Sequence, residues 1–215
     1  MLFVLENQRS VGNQFMAELR DRSIQQDRMR FRKNLERLGS IMAYEISKNL
    51  SYGTREIETP LAKKDVTVIK EEPVLITILR AGIPYFNGFQ HFFDRADCGF
   101  IGAYRKEDSE SLKIKLDYVA TPDLEGRDVI LIDPMLATGF SVVEALTALK
   151  GKGHPRHIFI ACVIAAKDGI GFLQKNIKTD HSIWAVSVDD KLNQQLYIVP
   201  GLGDAGDLSF GDKIG

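Results

Sequence analysis

The stretch from Val129 to Ser141 holds the residues best suited to binding an anion. It reads V-I-L-I-D-P-M-L-A-T-G-F-S, in which an apolar run stops at Asp133 and an amphipathic segment begins after Gly139. A strand, loop and helix start of this kind leaves backbone N–H groups unpaired at the helix N-terminus, where the helix dipole also favours negative charge. Thr138 and Ser141 add hydroxyl donors, and Gly139 lets a ligand approach the backbone closely. The stretch therefore predicts a phosphate site.

Three charged side chains could complete such a site. Asp133 lies at the carboxyl end of the predicted strand, where it could accept hydrogen bonds from sugar hydroxyls, although an acid before Pro134 could also be a simple turn former. Arg80 ends another apolar run, where a guanidinium needs either a carboxylate partner or a bound anion, and both remain open. Arg105 begins a polar stretch, where a solvated surface charge is the default interpretation.

The segment from Tyr197 to Gly211 reads Y-I-V-P-G-L-G-D-A-G-D-L-S-F-G and is too rich in Gly and Asp to predict regular structure. One interpretation is a frayed terminus. Pro200 and the closely spaced glycines before Asp207 favour a shaped loop instead, because its backbone amides could contact the edge of a planar ring.

Alternating strands and helices must position these residues. A helix is predicted from Met29 to Leu50, closed by Tyr52 and Gly53. Strands are predicted at Val66–Ile69, Val74–Leu79, Cys98–Tyr104, Val129–Ile132, Ile158–Ile164 and Ile183–Val188. This order indicates a mostly parallel sheet with right-handed crossovers.

Two helices and one irregular segment connect the predicted strands. Pro84 suits the first turn of a helix, and the crossover helix that follows the phosphate loop should be ended by Gly151 and Gly153. The segment from Arg105 to Pro122 is mostly polar and predicts a hairpin or mobile flap, a common cover for an active site. The helix begun at Pro84 has an aromatic face, which could also be partly an interface: Phe86, Phe89, Phe92 and Phe93.

Composition narrows the class of protein. The 215 residues fit one domain, residues 1–215, and the formal net charge of -1 argues against general binding of nucleic acid. Cys98 and Cys162 lie in apolar runs without metal-ligand spacing, so buried free thiols in a reducing compartment are expected. The four histidines are scattered and are interpreted as structural. Without a predicted leader or long apolar span, the protein is expected in the cytoplasm, away from membranes.

Taken together, these segments resemble the uracil phosphoribosyltransferases from about Phe31 to Gly211. The matching family patterns are D-P-M-L-A-T-G-x-S, I-L-R-A-G, Y-R and Y-I-x-P-G-L-G-D-x-G-D. The resemblance implies a type I phosphoribosyltransferase fold, an α/β fold with a mostly parallel central sheet flanked by helices. A small hood (about 197–211) and a flexible β-flap (about 105–122) complete it. The implied reaction joins uracil to phosphoribosyl diphosphate, giving UMP and diphosphate, with Mg²⁺ as cofactor.

The resemblance also assigns roles to residues. The catalytic set is Asp133, Asp204, Arg80 and Arg105, in which the two arginines and Mg²⁺ stabilise the diphosphate leaving group. Mg²⁺ is held mainly by the diphosphate, with no direct protein ligand and a water-mediated contact to Asp204. Phosphoribosyl diphosphate contacts the catalytic set and the loop residues Pro134, Met135, Leu136, Ala137, Thr138, Gly139, Phe140 and Ser141. The residues that contact uracil, largely through main chain, are Ile198, Gly203, Asp204 and Ala205.

Phe140 departs from the family pattern, which usually has a small or polar residue at this position. A positive φ there would cost on the order of one kcal/mol or more for a Phe. With a negative φ the ring would point away from the phosphate and pack outside the loop. The second arrangement is expected, because Gly139 can take the unusual backbone angle.

A regulator is the alternative to an enzyme. A phosphoribosyltransferase-fold regulator that senses nucleotides without uracil turnover would explain Phe140. The intact base-reading tail and the lack of a basic, aromatic-interleaved face argue against it. The resemblance implies a homodimer or higher homo-oligomer, and some members of the family are activated by GTP. The sequence decides neither point, nor how strictly uracil is preferred over other pyrimidines.

Overall fold

The computed structural model describes the backbone of residues 1–108 and 111–212, and the side chains of residues 1–102 and 118–212. The strands are β1 (Leu2–Val4), β2 (Tyr52–Glu58), β3 (Lys63–Ile69), β4 (Val74–Leu79), β5 (Cys98–Asp108), β6 (Ser111–Ala120), β7 (Asp128–Ile132), β8 (Met135–Leu136), β9 (His157–Ala166), β10 (His181–Asp189), β11 (Lys191–Leu192) and β12 (Ile198–Val199). The α-helices are α1 (Val11–Arg20), α2 (Arg28–Ser47), α3 (Ile83–Gln90), α4 (Phe140–Ala148), α5 (Lys167–Asn176) and α6 (Ala205–Phe210).

The central sheet is mostly parallel, as predicted. Its strand order is β1-β10-β9-β7-β4-β5-β6, with β8 paired to β9 beside this path. Each pairing is parallel except that of β5 with β6 at the edge. The carboxyl ends of β4, β7 and β10 therefore point to one edge of the sheet, where the segments after Leu79, Ile132 and Asp189 begin.

Helices cover both faces of the sheet. Successive residues of a strand point to opposite faces, so Leu75 of β4 packs under α1, α2 and α3, whereas Ile76 packs under α4 and α5. Strands that are buried on both faces read as continuous apolar runs, and every residue of β7 is buried. This explains why the sequence alone predicts these strands well.

The prediction that Tyr52 and Gly53 end the long helix is wrong. Helix α2 ends at Ser47, and Tyr52 instead begins β2. This strand pairs antiparallel with β3 in a separate two-stranded sheet, so the strand predicted at Val66–Ile69 lies outside the central sheet. Most residues of β2 are exposed, and with little burial the strand has no apolar alternation to reveal it.

The predicted lack of regular structure from Tyr197 to Gly211 is also wrong. Ile198 and Val199 form β12, and α6 begins at Ala205. The Asp204 side chain caps this helix by accepting the N–H groups of Gly206 and Asp207. A side-chain cap and tertiary packing can support a short helix that intrinsic propensity disfavours.

Strands β5 and β6 form the predicted hairpin. Their antiparallel register runs from Phe100 opposite Ala120 to Asp108 opposite Ser111. The side chain of Arg105 lies outside the described residues, so its role stays a prediction, as does the mobility of the flap. The predicted aromatic face is mainly core, since Phe86, Phe89 and Phe93 are buried; Phe92 alone of the four is exposed, at 51%.

Candidate active site

One cleft at the carboxyl edge of the sheet brings together most of the predicted site residues. It has a volume of about 180 Å³ and lies between the loops after β4 and β7 and the segment from Leu196 to Gly206. The predicted residues that line it are Arg80, Asp133, Met135, Leu136, Ala137, Thr138, Gly139, Ser141, Ile198, Gly203, Asp204 and Ala205. Pro134 and Phe140 do not line it.

The loop before α4 has the geometry of an anion site. Gly139 caps the helix with a left-handed φ of 84°. A Cβ at this position would lie 3.0 Å from both Leu173 Cδ2 and Phe172 Cδ1, so any other residue would crowd these side chains as well as strain the left-handed backbone. The Phe140 N–H donates to Thr138 Oγ1 at 3.3 Å, which leaves the Thr138 hydroxyl hydrogen able to donate elsewhere.

The ring of Phe140 packs outside the loop, as the sequence predicts, and Gly139 takes the unusual backbone angle. It is the first residue of α4, and its φ is not positive. Its ring is 49% exposed and contacts the ring of Phe172, with centroids 4.7 Å apart. The ring therefore packs outside the phosphate loop.

Asp133 lies directly after β7 and lines the cleft. Its Oδ1 accepts the Met135 N–H at 3.3 Å, and its own N–H donates to the Ala161 carbonyl at 3.1 Å.

The thiol of Cys162 lies near Asp133. Burial of the thiol, and to a smaller extent the negative charge of Asp133, raise the pKa of Cys162 far above its ordinary value. Cys162 is therefore a neutral packing residue and unsuited to act as a nucleophile.

Arg80 forms the salt bridge that the sequence left open. Its Nη2 donates to Asp207 Oδ1 at 3.0 Å and to the Gly211 carbonyl at 2.6 Å. Its buried Nε has no hydrogen-bond partner within the described part of the chain. Arg80 also lines the cleft, so the carboxylate partner does not withdraw it from the site.

Asp204 has a structural role that sequence reasoning missed. Its Oδ1 accepts the N–H groups of Gly206 at 2.8 Å and Asp207 at 3.0 Å, which caps α6. The spacing D-A-G-D, with an acid three residues after the cap, is a signal that could have predicted this helix start.

Leu196 and Tyr197 also line the cleft and were missed. Leu196 has a φ of 63° and, within the described chain, is the one non-glycine residue with a positive φ. Asn193 holds this turn, because its Oδ1 accepts the N–H groups of Gln195 at 3.0 Å and Tyr197 at 2.9 Å. An Asn that organises a turn is a recognisable signal, but it does not predict which side chains reach a cleft.

These features define the class of protein. A loop that runs from a strand end through Gly139 into a helix, at the carboxyl edge of a parallel sheet and facing a glycine-rich loop across one cleft, is the arrangement of a type I phosphoribosyltransferase. Comparisons with known proteins then identify the particular family: the uracil phosphoribosyltransferase family model matches residues 7–212, and the chain belongs to this family.

Individual relatives agree with the family. The chain is 44% identical over 206 residues to the uracil phosphoribosyltransferase of Porphyromonas gingivalis, covering 95% of each chain. It is 42% identical over 195 residues to that of Malacoplasma penetrans, covering 90% of this chain and 93% of the relative. The structure of the AQ2163 protein from Aquifex aeolicus superposes with a TM-score of 0.87 at 30% identity, covering 98% of each chain.

Within the described residues, the helices are all too short or too polar to cross a membrane.

Proposed function

We propose that this chain transfers the phosphoribosyl group of phosphoribosyl diphosphate to uracil, giving UMP and diphosphate. The observation that carries this proposal is a single cleft in which the phosphate loop around Gly139 faces the loop from Ile198 to Ala205. A sugar phosphate bound at the first loop would present its anomeric carbon towards a base bound at the second. Family membership supports the same reaction.

The 5'-phosphate would bind at the N-terminus of α4. The first backbone N–H groups of a helix have no partner within the helix, and the macrodipole favours a dianion there. The hydroxyls of Thr138 and Ser141, both at the cleft, supply further donors. Asp133, at the start of the same loop, would accept hydrogen bonds from the ribose hydroxyls.

The diphosphate leaving group would lie near Arg80. Negative charge grows on the leaving group as the anomeric carbon becomes cationic, and a fixed guanidinium stabilises that charge. Asp207 holds the Arg80 guanidinium through Nη2, so its orientation is set before substrate binds. Arg105 is proposed for the same role from the resemblance.

Mg²⁺ is the proposed cofactor, and the residues fit an ion that arrives with the substrate. Among the described residues, groups of three His, Cys, Asp or Glu side chains that could hold a metal are absent. Asp133 and Asp204 both line the cleft, where their carboxylates would accept hydrogen bonds from waters of an ion held by the diphosphate. Mg²⁺ commonly keeps its waters and binds substrate phosphates with one or two carboxylates. When bound, it would neutralise charge on the leaving group.

Uracil would be recognised mainly by main chain. Ile198 and the run from Gly203 to Ala205 border the cleft opposite the phosphate loop. Backbone donors and acceptors suit the alternating carbonyl and N–H edge of uracil, and cytosine would be rejected by mismatched groups. Catalysis would then come from alignment, exclusion of water and charge stabilisation, without a covalent nucleophile.

A panel of bases tests the proposal. Purified protein would be incubated with phosphoribosyl diphosphate and Mg²⁺ and offered uracil, cytosine, orotate or hypoxanthine, with nucleotide products separated by chromatography. We expect UMP from uracil and little product from the other bases. Chelating the metal should stop turnover, and added Mg²⁺ should restore it. An absence of UMP at saturating substrate would contradict the proposed reaction.

We also propose that the protein is a homodimer or larger homo-oligomer. Phe92 and Tyr44 form an exposed aromatic pair, 51% and 53% exposed, with ring centroids 6.5 Å apart. Exposed aromatic residues are enriched at protein interfaces. Sedimentation analysis of a Phe92→Ser variant should show weaker association than the unchanged chain. Val11→Ser, at another exposed apolar residue, is the control and should leave association unchanged.

Activation by GTP is proposed from the family resemblance alone. Initial rates at subsaturating phosphoribosyl diphosphate would be measured with and without GTP. A higher rate supports regulation by GTP, and an unchanged rate contradicts it.

We propose the cytoplasm as the location of the enzyme. Cys98 and Cys162 are both free thiols, which suits a reducing compartment. Fractionation of cells with an antibody to the protein would test this, and recovery outside the cytosolic fraction would contradict it.

A further inference from the structure

The loop proposed to contact uracil is anchored at Gly201 by a buried carboxylate. Asp189, the last residue of β10, is 7% exposed, and its Oδ2 accepts the Gly201 N–H at 2.8 Å. Gly201 has a φ of 68°, and a Cβ there would lie 2.1 Å from the Ile198 carbonyl oxygen. The chain thus folds back on Ile198 at this point. Gly201 is therefore packed closely against Ile198, one of the residues that line the cleft.

Arg20, the last residue of α1, completes this anchor. Its Nη1 donates to Asp189 Oδ2 at 2.8 Å and its Nη2 to Asp189 Oδ1 at 2.7 Å, which is a bidentate pair. Nη1 also donates to the Gly201 carbonyl at 2.9 Å, and Nη2 to Ser187 Oγ at 2.7 Å. Both the N–H and the carbonyl of Gly201 are therefore bonded to the Arg20–Asp189 pair.

The turn after α1 holds the neighbouring residue of the same loop. Gln25 Nε2 donates to the Leu202 carbonyl at 3.2 Å and to the Leu19 carbonyl at 2.8 Å. Two consecutive residues between Ile198 and Gly203 are thus bonded to the N-terminal segment. None of these bonds involves the phosphate loop between Asp133 and Ser141.

The ionic state of Asp189 agrees with this geometry. Burial by itself raises the pKa of Asp189, but the hydrogen bonds from Arg20 and Gly201 and the charge of Arg20 outweigh it, so the pKa lies below its ordinary value. The carboxylate is therefore charged at neutral pH and holds the guanidinium firmly.

We propose that Arg20 and Asp189 are positioning residues for the base, which set the spacing of the uracil-reading backbone at Ile198 and Gly203 to Ala205. This inference rests on the proposed function. A shift of about 1 Å in groups that align a reactant can cost about a hundredfold in rate. Loosening Gly201 should therefore impair uracil binding selectively, while phosphoribosyl diphosphate binding is kept.

The chain provides a matched control in the Arg156–Asp128 pair. Arg156 donates to Asp128 through Nε at 3.0 Å and Nη2 at 2.8 Å, so this pair is also bidentate. Asp128 is likewise 7% exposed, but it begins β7 at the edge of the sheet opposite the cleft. Breaking either pair leaves a buried carboxylate without its arginine, so both changes should lower stability.

The experiment compares Arg20→Met with Arg156→Met, measuring kcat, the KM of each substrate and the thermal midpoint. We expect Arg20→Met to raise the KM for uracil about tenfold or more and to weaken discrimination against cytosine. The KM for phosphoribosyl diphosphate should change by less than about threefold. Arg156→Met should lower the thermal midpoint without changing either KM. Equal changes in the uracil KM from both variants, or equal changes in both KM values from Arg20→Met, would overturn the proposal.

A milder variant keeps the test decisive if Arg20→Met fails to fold. Arg20→Lys retains the charge but cannot span both Asp189 oxygens and the Gly201 carbonyl, so an intermediate uracil KM is expected. An unchanged uracil KM in a folded Arg20→Lys variant, with Arg156→Lys as its control, would count against the anchor. Turnover by the unchanged chain separates the proposed reaction from the proposed anchor. If the unchanged chain forms no UMP, the reaction and the anchor are both rejected. If it forms UMP and the Arg20 variants keep the same KM for uracil, only the anchor is rejected.

Discussion

The ring of Phe140 lies against the ring of Phe172, with centroids 4.7 Å apart, outside the cleft that the phosphate loop lines. The unusual backbone angle of the loop is taken by Gly139. An aromatic residue beside the proposed phosphate site is thus accommodated by packing on α5, and its departure from the family pattern does not require a change of function.

Phe140→Ala should affect stability more than substrate binding. Removing one member of an aromatic pair on a half-exposed surface should cost about 1 kcal/mol of unfolding free energy. The KM for phosphoribosyl diphosphate should stay the same, because the ring does not line the cleft. Urea denaturation and steady-state kinetics would check the two expectations. A large rise in that KM would place the ring at the phosphate after all.

Gly139→Ala should impair both folding and substrate binding. A left-handed alanine costs about 1–2 kcal/mol, and its Cβ would crowd Phe172 and Leu173 at 3.0 Å. Movement of the loop should raise the KM for phosphoribosyl diphosphate and lower turnover by about a hundredfold. Gly171→Ala, in the neighbouring helix, is the control, since its Cβ would meet nothing within 4 Å. It should be neutral or stabilise by about 0.5–1 kcal/mol.

Asp204 can be tested for its two roles separately. Asp204→Ala removes both the helix cap and the charge, so it should lose about 1 kcal/mol of stability as well as turnover. Asp204→Asn keeps an oxygen that can cap α6 and should lose turnover with little change in stability. Thermal unfolding and UMP formation would be measured for both variants. Full turnover in Asp204→Asn would show that the carboxylate acts only as a cap.

Glu18 should make stability depend on pH in the acid range. Hydrogen bonds from Arg30 and then Asn34 outweigh burial and lower the pKa of Glu18 to about 2, from an ordinary 4.5. Because the pKa of Glu18 is lower in the folded protein, its charge stabilises the fold fully at pH values above the pKa of the unfolded chain, about 4.5. This stabilisation is lost as the pH falls from about 4.5 towards 2. Glu18→Gln should thus be less stable than the unchanged chain at pH 7, with the difference shrinking at acid pH.

Urea midpoints measured between pH 7 and pH 3 would test this expectation. The control is Glu56→Gln, whose partner Lys63 and own side chain are 68% and 57% exposed, so its effect should be small throughout. A stability difference at Glu18 that stayed constant over this range would contradict the role of its charge.

Local patterns predicted the central part of the fold well. The strands β4, β7, β9 and β10 are buried on both faces and read as unbroken apolar runs, and α2 shows a helical apolar stripe. Elements with little apolar burial were harder to predict. Strand β2 has mostly exposed residues, and α6 is rich in Gly and Asp, so both depend on pairing or capping partners that a local window does not show.

Consecutive residues were enough to predict a loop shaped for an anion at Gly139, because a strand end, a glycine and a helix start act locally. The alternation of strands and helices was likewise enough to predict the mostly parallel sheet that places such loops at one edge. The contact between Arg20 and Asp189, 169 residues apart, and its bonds to Gly201 are visible only in the folded chain. A single arginine at a helix end carries no information about a distant partner, since that contact depends on how the whole chain packs.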